Sequence, residues 1–142
     1  MRSLLIPLLL LSACNSQPPS ETEPAAKESS SGVEVFASGP RDRLCLKSKE
    51  RAGIITYAAS GNANCSVKAD QRGTFLIPDG ETTSTGATCM IPFRRDGNTV
   101  KIDRPTPSCT YYCGPGASLE GKSFTRITKP DTVTDLAGDP LC

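Results

Sequence analysis

Six cysteines fall between residues 45 and 142: Cys45, Cys65, Cys89, Cys109, Cys113 and Cys142. Large apolar side chains are thin over the same stretch. The aromatic residues are Phe36, Phe75, Phe93, Phe124, Tyr57, Tyr111 and Tyr112, and there is no Trp. A folded segment of about 110 residues so composed buries only a modest core. Disulfides make up for that, at about 2–4 kcal/mol each, comparable with the net stability of a small domain. Six is an even count, so three disulfides are expected among fifteen possible pairings. The reading favours Cys142 with either Cys109 or Cys113 and leaves the other pairs open.

A disulfide scaffold requires an oxidising compartment, and the N-terminus speaks to that. Arg2 is followed by an apolar run from Leu4 to Leu11, broken only by Pro7. The run falls short of the about 20 residues needed to span a bilayer, so residues 1–13 read as an export signal. It ends in Leu11-Ser12-Ala13-Cys14, which resembles the bacterial lipobox. That resemblance implies that a diacylglycerol is attached to the Cys14 thiol and that the chain is cut just before it. Asn15, where an Asp would favour the inner membrane, implies the outer membrane. The implied location is the periplasmic side of the envelope, with the membrane as a partner through the anchor.

Residues 14–31 continue as "CNSQPPSETEPAAKESSS", without a large apolar side chain. Such a segment cannot offset its own ordering entropy and is expected to be a disordered tether. The domain is then 32–142, with fourteen bases and twelve acids. That balance gives no sign of a nucleic-acid partner.

Within 32–142 the chain reads as short strands punctuated by turns. They are "GVEVFAS", "RLCLKS", "GIITYAA", "NCSVKA", "GTFLIPDG", the hairpin "ATCMIPFRRDGNTVKIDR" and "SFTRI". A two-residue loop at Asp96-Gly97 would set Phe93 opposite Val100 and Ile91 opposite Ile102 on one face. Pro92 argues for an edge or a bulge, because it lacks an N–H. Ala117–Glu120 fits one helical turn, and Asp131 to Ala137 a short helix with Gly138 at its stop and Val133 and Leu136 to bury. The expected fold is mainly β: a small antiparallel sheet or barrel-like domain, stapled by disulfides, with one short C-terminal helix.

The chain contains no His, which excludes Ser–His–Asp and Cys–His catalysis. Ser118, or Asp79 with Glu81, stand in no motif, and the expectation is a protein that is not an enzyme. Cys109-x3-Cys113 has a zinc-like gap but no second such unit, so no metal or cofactor is expected. "CGPG" at 113–116 resembles the thioredoxin-type CGPC motif, with Gly116 in place of the resolving thiol. Arg94 and Arg95 near the hairpin tip, and whichever of Tyr111 and Tyr112 faces outward, are the candidate binding contacts.

As a whole the chain resembles the small, cysteine-containing lipoproteins of Gram-negative envelopes. The resemblance implies a non-catalytic binding or envelope-structural module, with an envelope protein as its partner. The membrane-bound inhibitors of c-type lysozyme share the plan of a lipobox and a small β-barrel. Their Ser-Gly-x-x-Tyr loop is matched here only by Ser60-Gly61, with Asn64 in the Tyr position.

Overall fold

Alternating apolar residues separated by tight turns build eight strands, and the last pairs with the first. The computed structural model describes residues 32–80, 87–129 and 132–142. Cys14 and the expected tether lie outside these residues, as do Glu81 and Asp131. The strands are β1 (Val33–Ser38), β2 (Asp42–Lys47), β3 (Arg51–Tyr57), β4 (Asn64–Arg72), β5 (Phe75–Pro78), β6 (Ile91–Asp96), β7 (Thr99–Ile102) and β8 (Ser123–Arg126). Each pairs antiparallel with its neighbour in sequence, and β8 returns to β1 through Phe36↔Arg126 and Ala37↔Thr125. The result is a closed up-and-down barrel.

An eight-stranded barrel is just wide enough for its own side chains to fill it. Phe36, Leu44, Ile54, Val67, Leu76, Ile91, Val100, Ile102 and Phe124 all point inward and are fully buried. With Phe93, three of the four phenylalanines serve this one core. The short turns between β2 and β3, β4 and β5, and β6 and β7 gather at one end, here the turn end. The other connections, including the 20 residues 103–122 between β7 and β8, gather at the other, here the cap end.

The β6–β7 hairpin departs from expectation in one detail. The loop is Gly97-Asn98, and Phe93 pairs with Ile102 and Asp96 with Thr99. Gly97 takes φ +53°, the glycine-first chemistry of a type II′ loop, where Asp96 would have had to adopt positive φ in a type I′ loop. The pairing moves by two positions, so every side chain keeps its face. Pro92 sits at no edge, since the barrel has none. Its carbonyl accepts from the Asp103 N–H at 2.9 Å, and the return bond would need the N–H that proline lacks. The β6–β7 ladder ends there, and β7 leaves for the cap.

No helix forms at the C-terminus. Thr134 and Pro140 make a single antiparallel bridge, and Asp135 Oδ1 accepts from the Ala137 and Asp139 N–H groups, both at 2.9 Å. This Asx-type turn competes successfully with a helix. Leu136 is 70% exposed, and Leu141 is buried in its stead. Residues 132–142 form a strap across the outside of β1, β2 and β3. There Val133 and Leu141 meet Val35, Cys45 and Ile55, and Cys142 bonds to Cys45. Cys142 thus pairs with neither Cys109 nor Cys113, because the strap lies along the barrel wall and those two lie at the cap.

Gly53 permits this contact. It faces outward opposite Cys45, and a Cβ built on it would stand 2.7 Å from the Leu141 carbonyl oxygen. Residues 31–142 form one compact unit with all three disulfides inside it, so this segment carries its own core. Gly53→Ala should lift the strap and lower Tm by about 10 °C, the equivalent of roughly 2 kcal/mol of overpacking. Differential scanning calorimetry of the oxidised domain reads this, and a shift under about 2 °C on that scale would refute the packing argument.

Candidate functional site

The cap is a long excursion whose two ends are tied together. The Ile102 N–H donates to the Lys122 carbonyl at 2.8 Å, and the Gly121 N–H donates to the Ile102 carbonyl at 3.1 Å. Between them the chain leaves the barrel, turns through one 3-10 helix at Pro107–Tyr112 and comes back. Pro107 opens that helix with its φ already set and no N–H to leave unsatisfied. The predicted helical turn at Ala117–Glu120 is absent; 117–119 are irregular, and Glu120-Gly121 form a turn.

Two disulfides and a set of hydrogen bonds fix the cap to the barrel mouth. Cys109 bonds to Cys89, and Cys113 bonds to Cys65 at the start of β4. Thr106 bonds Met90 twice: its N–H donates to the Met90 carbonyl at 3.0 Å, and its Oγ1 accepts from the Met90 N–H at 2.9 Å. Ser108 Oγ donates to the Thr88 carbonyl at 2.9 Å. On the return side, Thr56 Oγ1, inside the barrel, donates to the Ser118 carbonyl at 3.0 Å. Lys122 Nζ donates to Asp42 Oδ2 at 2.6 Å, while Asp42 Oδ1 accepts from the Tyr57 N–H at 2.9 Å. Asp42 is buried, and these two bonds give its carboxylate the partners that burial demands.

Between the outgoing and returning arms of the cap lies a cleft of about 590 Å³, inside the usual range of roughly 300–1,000 Å³ for ligand sites. Pro105, Pro107, Pro115, Ala117 and Leu119 give it apolar walls. Thr110 and Ser118 add hydroxyls, and Arg104 and Glu120 form an ion pair at 2.7 Å. That bond to Glu120 raises the Arg104 guanidinium above its ordinary range. Among the described residues, no cluster of His, Cys, Asp or Glu is arranged to hold a metal ion.

The residues singled out in the sequence separate here. Tyr111 is 70% exposed and follows Thr110 in the cleft wall, while Tyr112 turns inward against the core. The two rings meet edge to face at 5.4 Å. They are split by a 3-10 helix rather than a strand, but one faces out and one in, as adjacency predicts. Arg94 lies on the outer wall of β6, and Arg95 lies at the opposite end. Arg94 bonds Asp103 at 2.7 Å, and Arg95 grips Glu34 with both terminal nitrogens at 2.6 and 2.8 Å. Arg126 adds a second contact to Glu34 at 3.2 Å. Glu34, Arg95 and Arg126 occupy inward-facing positions and close the turn end over Phe36, with the Arg95 guanidinium 5.5 Å from its ring. Asp79 is engaged by Arg51, and Ser118 Oγ accepts from the Glu120 N–H at 3.1 Å.

The cap cleft carries no sequence motif. Its signal is the density of Pro and Gly from Pro105 to Gly121, with Cys109 and Cys113 among them. Comparison with family models, with curated proteins and with solved structures finds no match for the chain.

Arg95 hydrogen bonding holds the Glu34 carboxyl below its usual range, and Arg126 adds to this. The stabilisation is therefore complete above the unfolded-chain value of about 4.3 and is lost as pH falls through the lower folded value. Glu34→Gln should cost about 1 kcal/mol at neutral pH. In urea titrations the gap between variant and wild type should narrow steadily below a pH of about 4. A gap independent of pH would show that the ion pair is not its source.

Proposed function

We propose that this protein is a lipid-anchored envelope module that works by binding, with the cap cleft and Tyr111 as its contact surface. The observation that carries the reading is the contrast between the barrel interior and the cap cleft. The barrel interior is filled by its own side chains, whereas the cleft between the arms of the cap is open. A packed barrel serves as a rigid base, and a cross-linked loop on a rigid base keeps its shape before contact, which lowers the entropic cost of binding. The cleft walls, apolar at three prolines, Ala117 and Leu119 and with an exposed tyrosine alongside, suit a partner that brings apolar side chains and backbone polar groups. A folded or extended segment of an envelope protein has that chemistry. The lipobox at Leu11–Cys14 supports the anchor, and residues 15–31 then serve as the tether.

Labelling of growing cells with a radioactive fatty acid tests the anchor: label should enter the wild-type chain and be lost in Cys14→Ser. A photo-crosslinking residue at Thr110 tests the surface. Discrete adducts should form in intact envelopes from position 110 and not from position 139 on the strap. Equal adducts from both positions would reject the cleft.

A second reading, inhibition of c-type lysozyme, gains from the closed barrel and from Ser60-Gly61 lying on the β3–β4 connection. Asn64 in place of the expected Tyr weakens it, since that position opens β4 and its carbonyl accepts from the Gly114 N–H at 2.8 Å.

A further inference from the structure

Two arginines at the cap end have no carboxylate partner. Arg41 lies on the short turn between β1 and β2, and Arg43 follows in β2. Neither forms an ion pair among the described residues. Asp42 stands between them in sequence, but its carboxylate is committed elsewhere. Alternation along β2 turns it inward, as it does Leu44, and so turns Arg43 outward. The buried Asp42 carboxylate meets the Lys122 ammonium and the Tyr57 N–H, and neutralises neither arginine.

The two guanidiniums use their N–H groups differently. Arg43 spends them on its own turn. Its Nη1 donates to the Gly39 and Asp42 carbonyls at 3.3 and 2.9 Å, and its Nη2 donates to the Pro40 carbonyl at 3.0 Å. Arg41 is exposed and makes no hydrogen bond among the described residues. It is held in place all the same, because its guanidinium lies over the Tyr57 ring, 3.8 Å from the centroid. The ring face attracts the cation and fixes its plane. Gly61 leaves it room, since a Cβ built there would stand 2.9 Å from Arg41 Nη1. A planar fork of donors, fixed in orientation and unspent, matches a carboxylate through two parallel bonds.

One loop separates this fork from the cap cleft. Gly61 belongs to the β3–β4 connection. Ala58 in the same connection stands 3.9 Å from a Cβ built on Gly116, and Ala63 stands 3.0 Å from one built on Gly114. Gly114 and Gly116 both line the cleft. We infer that Arg41 is a binding site for a carboxylate, through which the cleft takes an acidic peptide segment. An apolar side chain of that segment sits between the arms of the cap, and an Asp or Glu further along it closes on the Arg41 fork. The charge of Arg43 alongside complements the same group. The role of the cleft rests on the binding reading above; the carboxylate site on Arg41 does not. A phosphate would also fit the fork, but it brings nothing to the apolar walls.

The test uses the oxidised domain 32–142 labelled with 15N. It is titrated with the peptide acetyl-Leu-Ala-Glu-Glu-Leu-amide, with the same peptide carrying Gln for Glu, and with inorganic phosphate. The Nε–H signal of Arg41 and the amide signals of Ser118 and Leu119 are followed by NMR. All three should move together with the acidic peptide, and the Gln peptide should bind about tenfold more weakly. Arg41→Gln should weaken the acidic peptide by the same factor of about ten. About 0.5 M salt should weaken the acidic peptide and spare the Gln peptide. Lys101→Ala on the barrel wall should leave binding unchanged, and circular dichroism checks that both variants fold. Acidic and Gln peptides that bind alike, an Arg41 signal that moves with neither, or phosphate binding more tightly than the acidic peptide would overturn the proposal. In the first of these cases the cleft signals still move, so the cleft reading survives. Movement of the Arg41 signal alone with the acidic peptide would support the carboxylate site and reject the cleft reading.

Discussion

The fold depends on the pairing of β8 with β1. Seven of the eight strand contacts join neighbours in sequence and form as local hairpins. The eighth joins Phe36 and Ala37 to Arg126 and Thr125, some 90 residues apart in the chain, and converts a curled sheet into a barrel. Without it, β1 and β8 are edges with unmet backbone groups, and the inner faces of both strands lose a wall. The other stabilising features bear on this closure. The cap, fastened through Cys89–Cys109 and Cys65–Cys113, keeps the 20 residues that precede β8 within reach of the barrel mouth. Cys45–Cys142 fastens the segment that follows β8 to the wall beside β1. Cross-links on both sides of the last strand shorten the effective loop whose ends must meet, the quantity that sets the entropic cost of a non-local contact.

The two barrel ends are sealed by different chemistry. At the turn end a carboxylate and two guanidiniums lie over Phe36, partly open to water and sensitive to salt and pH. At the cap end the seal is covalent and apolar, with Leu119, Cys109 and Cys89 continuing the core into the loop. The cap end forms a concave surface. The division of labour follows from loop length, since turns of two or three residues leave no chain to fold over the opening, whereas the connection between β7 and β8 leaves enough for a second layer.

Most strands were legible in the sequence because their alternation is clean. Asn64 to Ala69 and the Phe93–Ile102 hairpin each place apolar residues at every second position, whereas in β1 the alternating Val33 and Val35 lie on the outer face and Glu34 and Phe36 point inward. Two runs broke the rule informatively. Leu44-Cys45-Leu46 and Ile54-Ile55 are apolar on consecutive residues, which is the mark of strands covered on both faces. Both lie under the strap, so a partner for Cys45 outside the barrel was written there in retrospect. The strap itself was not legible. Its turn rests on one Asp side chain bonding two backbone amides, and its seat rests on Gly53 having no Cβ, facts that belong to a tertiary contact. Disulfide connectivity failed for the same reason. Cys109 and Cys113 are close in sequence, but Cys109 lies within the 3-10 helix and bonds Cys89 ahead of β6, whereas Cys113 caps the helix and bonds Cys65 in β4. The cap cleft was the least legible part, since irregular backbone between prolines and glycines has no period to read.

Glu34 and Arg126 sit on the inner faces of β1 and β8, the two strands that remain sheet edges until closure. An inward-pointing charge is one of the devices by which exposed edges resist pairing with other chains. While the barrel is still open, a foreign strand added to β1 would bury the Glu34 carboxylate without a partner. Only the chain's own β6 and β8 bring the guanidiniums that satisfy it. The ion cluster that plugs the finished barrel therefore also discriminates, during assembly, between the correct last strand and an intruder.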